Sequence, residues 1–106
     1  MIARHVEINL KPDRYNEYKT LYENEILPVL KRQTGFLDAV ALLSENKTDR
    51  NIVVSLWKTK ADAENYQKRE YSRILDMVKP FIDGTPRVEY YNVEHTTFRK
   101  MESVAA

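Results

Sequence analysis

The chain of 106 residues contains no cysteine. Disulfides, thiolate metal sites and a cysteine nucleophile are therefore excluded. Glycine occurs only at Gly35 and Gly84, so there is no glycine-rich loop to cradle a phosphate, and the GxSxG elbow is missing as well. The two histidines, His5 and His95, lie far apart and outside any HxxxH arrangement, which speaks against a dedicated metal site. An excess of one charge sign is also lacking. Seventeen basic and 16 acidic residues leave a net charge of +1, and no basic cluster is longer than Lys68-Arg69. Binding driven by phosphate neutralisation needs a basic face, so nucleic acid is not expected as a partner. No apolar run approaches the roughly 20 residues that span a bilayer. The amino terminus MIARHVEINL alternates instead of forming the apolar block of a signal peptide. These absences predict a soluble protein without a membrane partner, in the cytoplasm.

What is present suits one globular domain, with 42% apolar and 31% charged residues. Its expected extent is residues 1–98, with a loosely ordered tail over 99–106. Residues 2–10 alternate as a strand does, with Ile2, Val6, Ile8 and Leu10 on one face and Ala3, His5, Glu7 and Asn9 on the other. Lys11-Pro12-Asp13 ends it, and Asp13 reads as an N-cap or first-turn acid. A helix is predicted from 13 to about 33, its stripe formed by Tyr15, Tyr18, Tyr22, Ile26, Val29 and Leu30. Pro28 predicts a kink within it, and Gly35 a stop. Two strands follow, Phe36 to Ser44 and Asn51 to Lys58, separated by the polar hairpin loop SENKTDRN. A second helix is predicted over about 61–79. A turn at Asp83-Gly84-Thr85-Pro86 then leads to a last strand from Arg87 to about Thr97.

The order β-α-β-β-α-β predicts an α+β, ferredoxin-like fold with an antiparallel sheet and both helices on one face. The two middle strands in sequence are apolar on both faces, as strands covered on both sides are. An uncovered apolar sheet face is too large for a typical monomer. A second copy packed sheet to sheet is the simplest cover, so a homodimer is expected.

On a helical wheel, Glu70 and Gln67 fall inside the apolar arc of the second helix with Ala63, Tyr66, Ile74 and Val78. A buried carboxylate costs several kcal/mol unless it is paired, hydrated or protonated. A polar cavity under the helix, an arginine partner for Glu70, or a slightly rotated helix would each resolve this. The chain carries seven tyrosines. Tyr15, Tyr18, Tyr22 and Tyr66 facing a sheet would either line a pocket for a flat aromatic ligand or form the amphipathic rim of a small core. Trp57, the only tryptophan, closes the third strand, where such a residue is more often a structural plug than a catalytic group. His5 is a candidate general base if its face points inward. If it points outward, His5 belongs to the dimer seam or to solvent.

Gly35-Phe36 after the first helix, the strand VVSLW, then KTKADAENYQ and Tyr71 five residues beyond Tyr66 together resemble the antibiotic biosynthesis monooxygenase family. The resemblance covers about residues 3–95 and implies a dimeric α/β barrel built from ferredoxin-like protomers, with a pocket between each sheet and its own helices. It further implies a cofactor-independent monooxygenase that acts on a small aromatic, quinol- or anthrone-like substrate with molecular oxygen. Such chemistry needs a dry cavity, donors for a phenolate and a base. Under this resemblance Trp57 and Tyr66 are aromatic walls, Tyr18 and Tyr22 complete the substrate pocket, Tyr71 donates a hydroxyl, and His5 or Glu70 is the base. The haem-degrading relatives carry a tryptophan and a histidine on the second helix. Here those positions hold Tyr66 and, nearby, Asp76, which argues against haem degradation. The alternatives are a non-catalytic small-molecule-binding or stress-related protein and, behind it, a haem binder.

Overall fold

The computed structural model describes residues 1–47 and 49–98, so the tail expected over 99–106 lies outside the described residues. Four strands, β1 (Ile2–Leu10), β2 (Phe36–Leu43), β3 (Arg50–Trp57) and β4 (Ile82–Asn92), form one antiparallel sheet in the order β2-β3-β1-β4. Four helical segments, α1 (Tyr15–Leu21), α2 (Leu27–Lys31), α3 (Lys60–Arg69) and α4 (Tyr71–Val78), pack on one face of it. This is the expected α+β, ferredoxin-like arrangement. The sheet is open, with β2 and β4 at its edges. Among the described residues no helix is long and apolar enough to cross a membrane.

Strand alternation and register decide which side chains meet the helices. The pairs Ile2–Trp57, Arg4–Ser55, Val6–Val53 and Ile8–Asn51 join β1 to β3 on the helix side. There Ile2, Ile8 and Trp57 enter the core with Tyr18, Tyr22, Ile26, Leu30, Ala63, Tyr66, Ile74 and Val78. The opposite face carries Ala3, His5, Ile52, Val54, Leu56, Val40 and Leu42, without a helix over it. Val40 is 50% exposed and Leu42 47%, so the greasy second face expected of β2 and β3 is present and bare in the single chain.

Three predicted elements differ. The first helix begins at Tyr15 and not at 13, because Asp13 takes a left-handed conformation (φ 59°) that asparagine and aspartate tolerate better than most residues. Instead of a kink at Pro28, the helix widens into a π-helical turn over Tyr22–Ile26, where the amide of Leu27 bonds the carbonyl of Tyr22, five residues back. Pro28 then falls in the first turn of α2, where its missing N–H is tolerated. The second helix is interrupted at Glu70 (φ −118°). The turn predicted at 83–86 is a bulge inside β4. Asp83 pairs with Asn9 and Arg87 with Glu7, and the surplus residues swell around Gly84 (φ 73°). The last strand thus starts at Ile82 and ends at Asn92, short of His95.

Gly35 (φ 80°) does more than stop the helix. A Cβ at this position would collide with the side chain of Asp62 at the start of α3. The amide of Lys58 also bonds the Gly35 carbonyl (2.9 Å). Thr59 caps α3, its hydroxyl oxygen accepting from the Asp62 amide (3.1 Å). These contacts pin the start of α3 against the β2 entry and fix where Tyr66 and Gln67 hang over the sheet.

Candidate functional site

Between the sheet and the helices lies a small cavity. Val6, Ile8, Val53, Ile74 and Val78 supply its apolar wall, and Tyr18, Tyr22, Tyr66 and Tyr71 its aromatic one. The space open to a water-sized sphere is about 50 Å³, enough for a few waters. Among the described residues the lining includes one cation, Arg4, and no carboxylate.

Arg4 is the residue that sequence reasoning missed. Strand alternation puts it between Ile2 and Val6 on the helix side, and it is 3% exposed. Its Nη2 donates to Oε1 of Gln67 (2.6 Å). Its Cζ lies 4.5 Å from the Tyr71 ring centroid and 5.1 Å from that of Tyr66, within range for cation–π attraction. Its Nε is buried with no partner among the described residues. Among the described residues no carboxylate comes within 4.0 Å of it. The hydroxyl of Tyr90, which faces Arg4 across the β1–β4 pairing, is likewise buried and unpaired. The readable signal was strict alternation itself, which assigns an arginine to an otherwise apolar face.

Burial dominates the tyrosines. It pushes Tyr66 up to about 12, against the pull of the Arg4 guanidinium. It raises Tyr18 well above the ordinary value, with Tyr22 and Tyr15 adding to it. Tyr22 is raised by burial and then by the charge of Asp38. Tyr71 is raised by burial while Arg4 opposes the shift. All four are therefore hydroxyl donors near neutral pH, not bases. The unfolded chain gives up these protons near 10. Stability from the four is intact below that pH and is lost as pH climbs above 10, the loss from Tyr66 running through about 12. A spectrophotometric titration is expected to show a fraction of the tyrosine signal still unionised above pH 11. Ionisation of all seven tyrosines in one step near 10, with far-UV circular dichroism unchanged, would contradict this burial.

The structure brings Tyr18, Tyr22, Tyr66 and Tyr71 together at the cavity. Trp57 stands behind them and does not line it. Fully buried, it stacks on Tyr66 (5.4 Å between centroids, 29°) and meets Phe36 edge-on (5.6 Å). Its Nε1 donates to Ser55 Oγ (2.9 Å), whose hydroxyl points at the Arg4 carbonyl (3.5 Å). Of the two candidate bases, neither lines the cavity. Glu70 meets an arginine, as one of the three expectations had it, but the partner is Arg73 on the next turn (2.6 Å). His5 lies on the open face, edge-on to Tyr91 (6.1 Å) and opposite Glu89. Among the described residues no three His, Cys, Asp or Glu side chains are grouped as a metal site requires.

Comparison with known proteins is consistent with this geometry. The profile of the family described as "Antibiotic biosynthesis monooxygenase" matches residues 1–74. No curated protein matches the chain. Among solved structures, a Nitrosomonas europaea protein described as a candidate antibiotic biosynthesis monooxygenase superposes with a TM-score of 0.79 at 18% identity, covering 92% of this chain and 93% of that one. SnoaB of Streptomyces nogalater, described as a cofactor-independent oxygenase, gives 0.77 at 10% identity, covering 91% and 95%. At these identities the structural likeness establishes the shared fold.

Proposed function

The chain belongs to the antibiotic biosynthesis monooxygenase family, and on that premise we propose that it oxygenates a small quinol- or anthrone-like aromatic with molecular oxygen and no cofactor. The observation that carries the reading is the cavity under the helices, walled by apolar groups and four un-ionised tyrosines. Such a site limits contact with bulk water while presenting hydroxyl donors, which favours a reactive aromatic anion over its solvated form. The anion passes electrons to oxygen directly. One oxygen atom enters the ring as a carbonyl and the other leaves as water, so the substrate supplies every electron. The solved neighbour described as a cofactor-independent oxygenase supports the same chemistry by fold.

In this reading Tyr71 is the donor to the ring oxygen. Tyr18, Tyr22 and Tyr66 are walls, and Trp57 braces Tyr66 from behind. With His5 on the far side of the sheet and Glu70 held by Arg73, the substrate's proton leaves to solvent as the ring enters. A bicyclic ring needs several times the present void, so this reading requires the helices to part from the sheet on loading. Tyr71→Phe is expected to lower kcat about 10- to 100-fold, the worth of one hydrogen bond to a charged oxygen, in oxygen-uptake assays with naphthoquinols or anthrones. Wild-type protein that consumes no oxygen above the chemical background with either class would defeat the reading. That neither candidate base lines the cavity favours a second one, a non-catalytic binding protein. A small molecule retained through purification, with silent oxygen uptake, would establish it.

The reading includes a homodimer closed across the open sheet face, supported by the exposed Val40 and Leu42 and the half-buried Ile52 and Val54 beside them.

A further inference from the structure

We infer that the cavity is an anion site, that Arg4 is its specificity-determining residue, and that the ligand is a planar aromatic bearing one ionised oxygen. The inference rests on the cavity being a binding site, but not on its being an oxygenase site. A guanidinium carries five donors in a fixed fork and stays charged at all relevant pH values. Sealing it from water without a counter-ion is costly, since a buried charge normally survives only when paired. Gln67 offers a neutral oxygen to one arm, and the Tyr66 and Tyr71 rings lie within cation–π range of its Cζ. The Nε arm has no partner among the described residues. The unpaired Tyr90 hydroxyl on the neighbouring strand is a second polar atom without a mate. Every feature of the site complements a flat, electron-rich ring with a negative edge. The tyrosines border the ring, the guanidinium fork takes the charge, and among the described residues no lining carboxylate repels it.

The same arrangement explains how a phenol can ionise here without a base beside it. A fixed cation in a largely buried site favours the charged form of any acid bound next to it. Arg4 therefore lowers the ligand's pKa and selects the anion, and the proton goes to water on binding. Gln67 has the positioning role, since its amide oxygen holds Nη2 and so aims the remaining fork.

The test is equilibrium binding under nitrogen, so that turnover plays no part. Calorimetric titrations use three probes of one shape: 2-naphthoate, 2-naphthol and 2-methylnaphthalene. Wild-type protein is expected to bind at least one anion tenfold or more tighter than the neutral hydrocarbon. Affinity for 2-naphthol should rise with pH as that probe ionises, while affinity for 2-methylnaphthalene stays level. The Arg4→Met variant is expected to bind all three alike, and to melt no lower than wild type, because an uncompensated buried charge has been removed. Tight binding of naphtholate but not naphthoate assigns the charge to a ring oxygen, and the reverse assigns it to a carboxylate. Either result supports the anion site. Equal binding of charged and neutral probes by wild-type protein overturns it, as does an Arg4→Met variant that keeps the preference for anions. Should Arg4→Met not fold, the pH series on wild-type protein decides alone. Anion binding without oxygen uptake would leave this inference standing and remove the oxygenase. Oxygen uptake indifferent to Arg4 would do the opposite.

Discussion

Trp57→Ala is expected to destabilise the fold by about 3–5 kcal/mol, the range for removing a fully buried aromatic from a packed core. Against a total stability of 5–15 kcal/mol for a domain, this is the largest single effect anticipated. Several contributions add up at this residue. The side chain has no exposed surface, it stacks on Tyr66 and abuts Phe36, and its Nε1 satisfies Ser55. Alanine leaves a hole at the junction of β3 with α3 and strands the serine hydroxyl on its long bond to the Arg4 carbonyl (3.5 Å). Urea denaturation read by far-UV circular dichroism gives the figure. Trp57→Phe should recover more than half of the loss by keeping the stack. A loss below about 1 kcal/mol in the alanine variant would mean that the ring does not bear on the core as described.

The second large effect concerns the bare sheet face. Val40 and Leu42 sit on the edge strand β2 and already meet solvent in the single chain, so glutamate at both positions costs the protomer little. Across a twofold interface the same change sets four carboxylates into an apolar seam, which desolvation forbids. Wild-type protein is expected to sediment at twice the 12.5 kDa chain mass. The Val40→Glu, Leu42→Glu variant should sediment at the single mass with its circular dichroism unchanged. A variant that still pairs would move the interface elsewhere, and a monomeric wild type would remove it.

The order of strands and helices was legible because each segment carries its own period, and the two-faced apolar character of β2 and β3 was legible for the same reason. The tyrosine stripe was equally plain. What escaped depended on partners distant in sequence. Arg4 looks like an interruption in an alternating strand, and only the fold shows Gln67 waiting above it, 63 positions along the chain. The bulge in β4 was misread because Asp83, Gly84 and Pro86 have turn chemistry, and pairing with Asn9 and Glu7 overrode it. The face on which His5 lies could not be chosen from alternation, which separates two faces without saying which one the helices cover. The break at Glu70 has no glycine or proline to announce it.

The widened turn at Tyr22–Ile26 has a geometric consequence for the site. Tyr18, Tyr22, Ile26 and Leu30 all reach the cavity at uniform four-residue steps. An ordinary helix completes a turn in 3.6 residues, so each such step overshoots, and the row would creep around the cylinder until its last member looked away. A segment wound more slackly than four residues per turn takes back that creep. The slack turn thus works as a correction of pitch, holding four side chains in file over one small void.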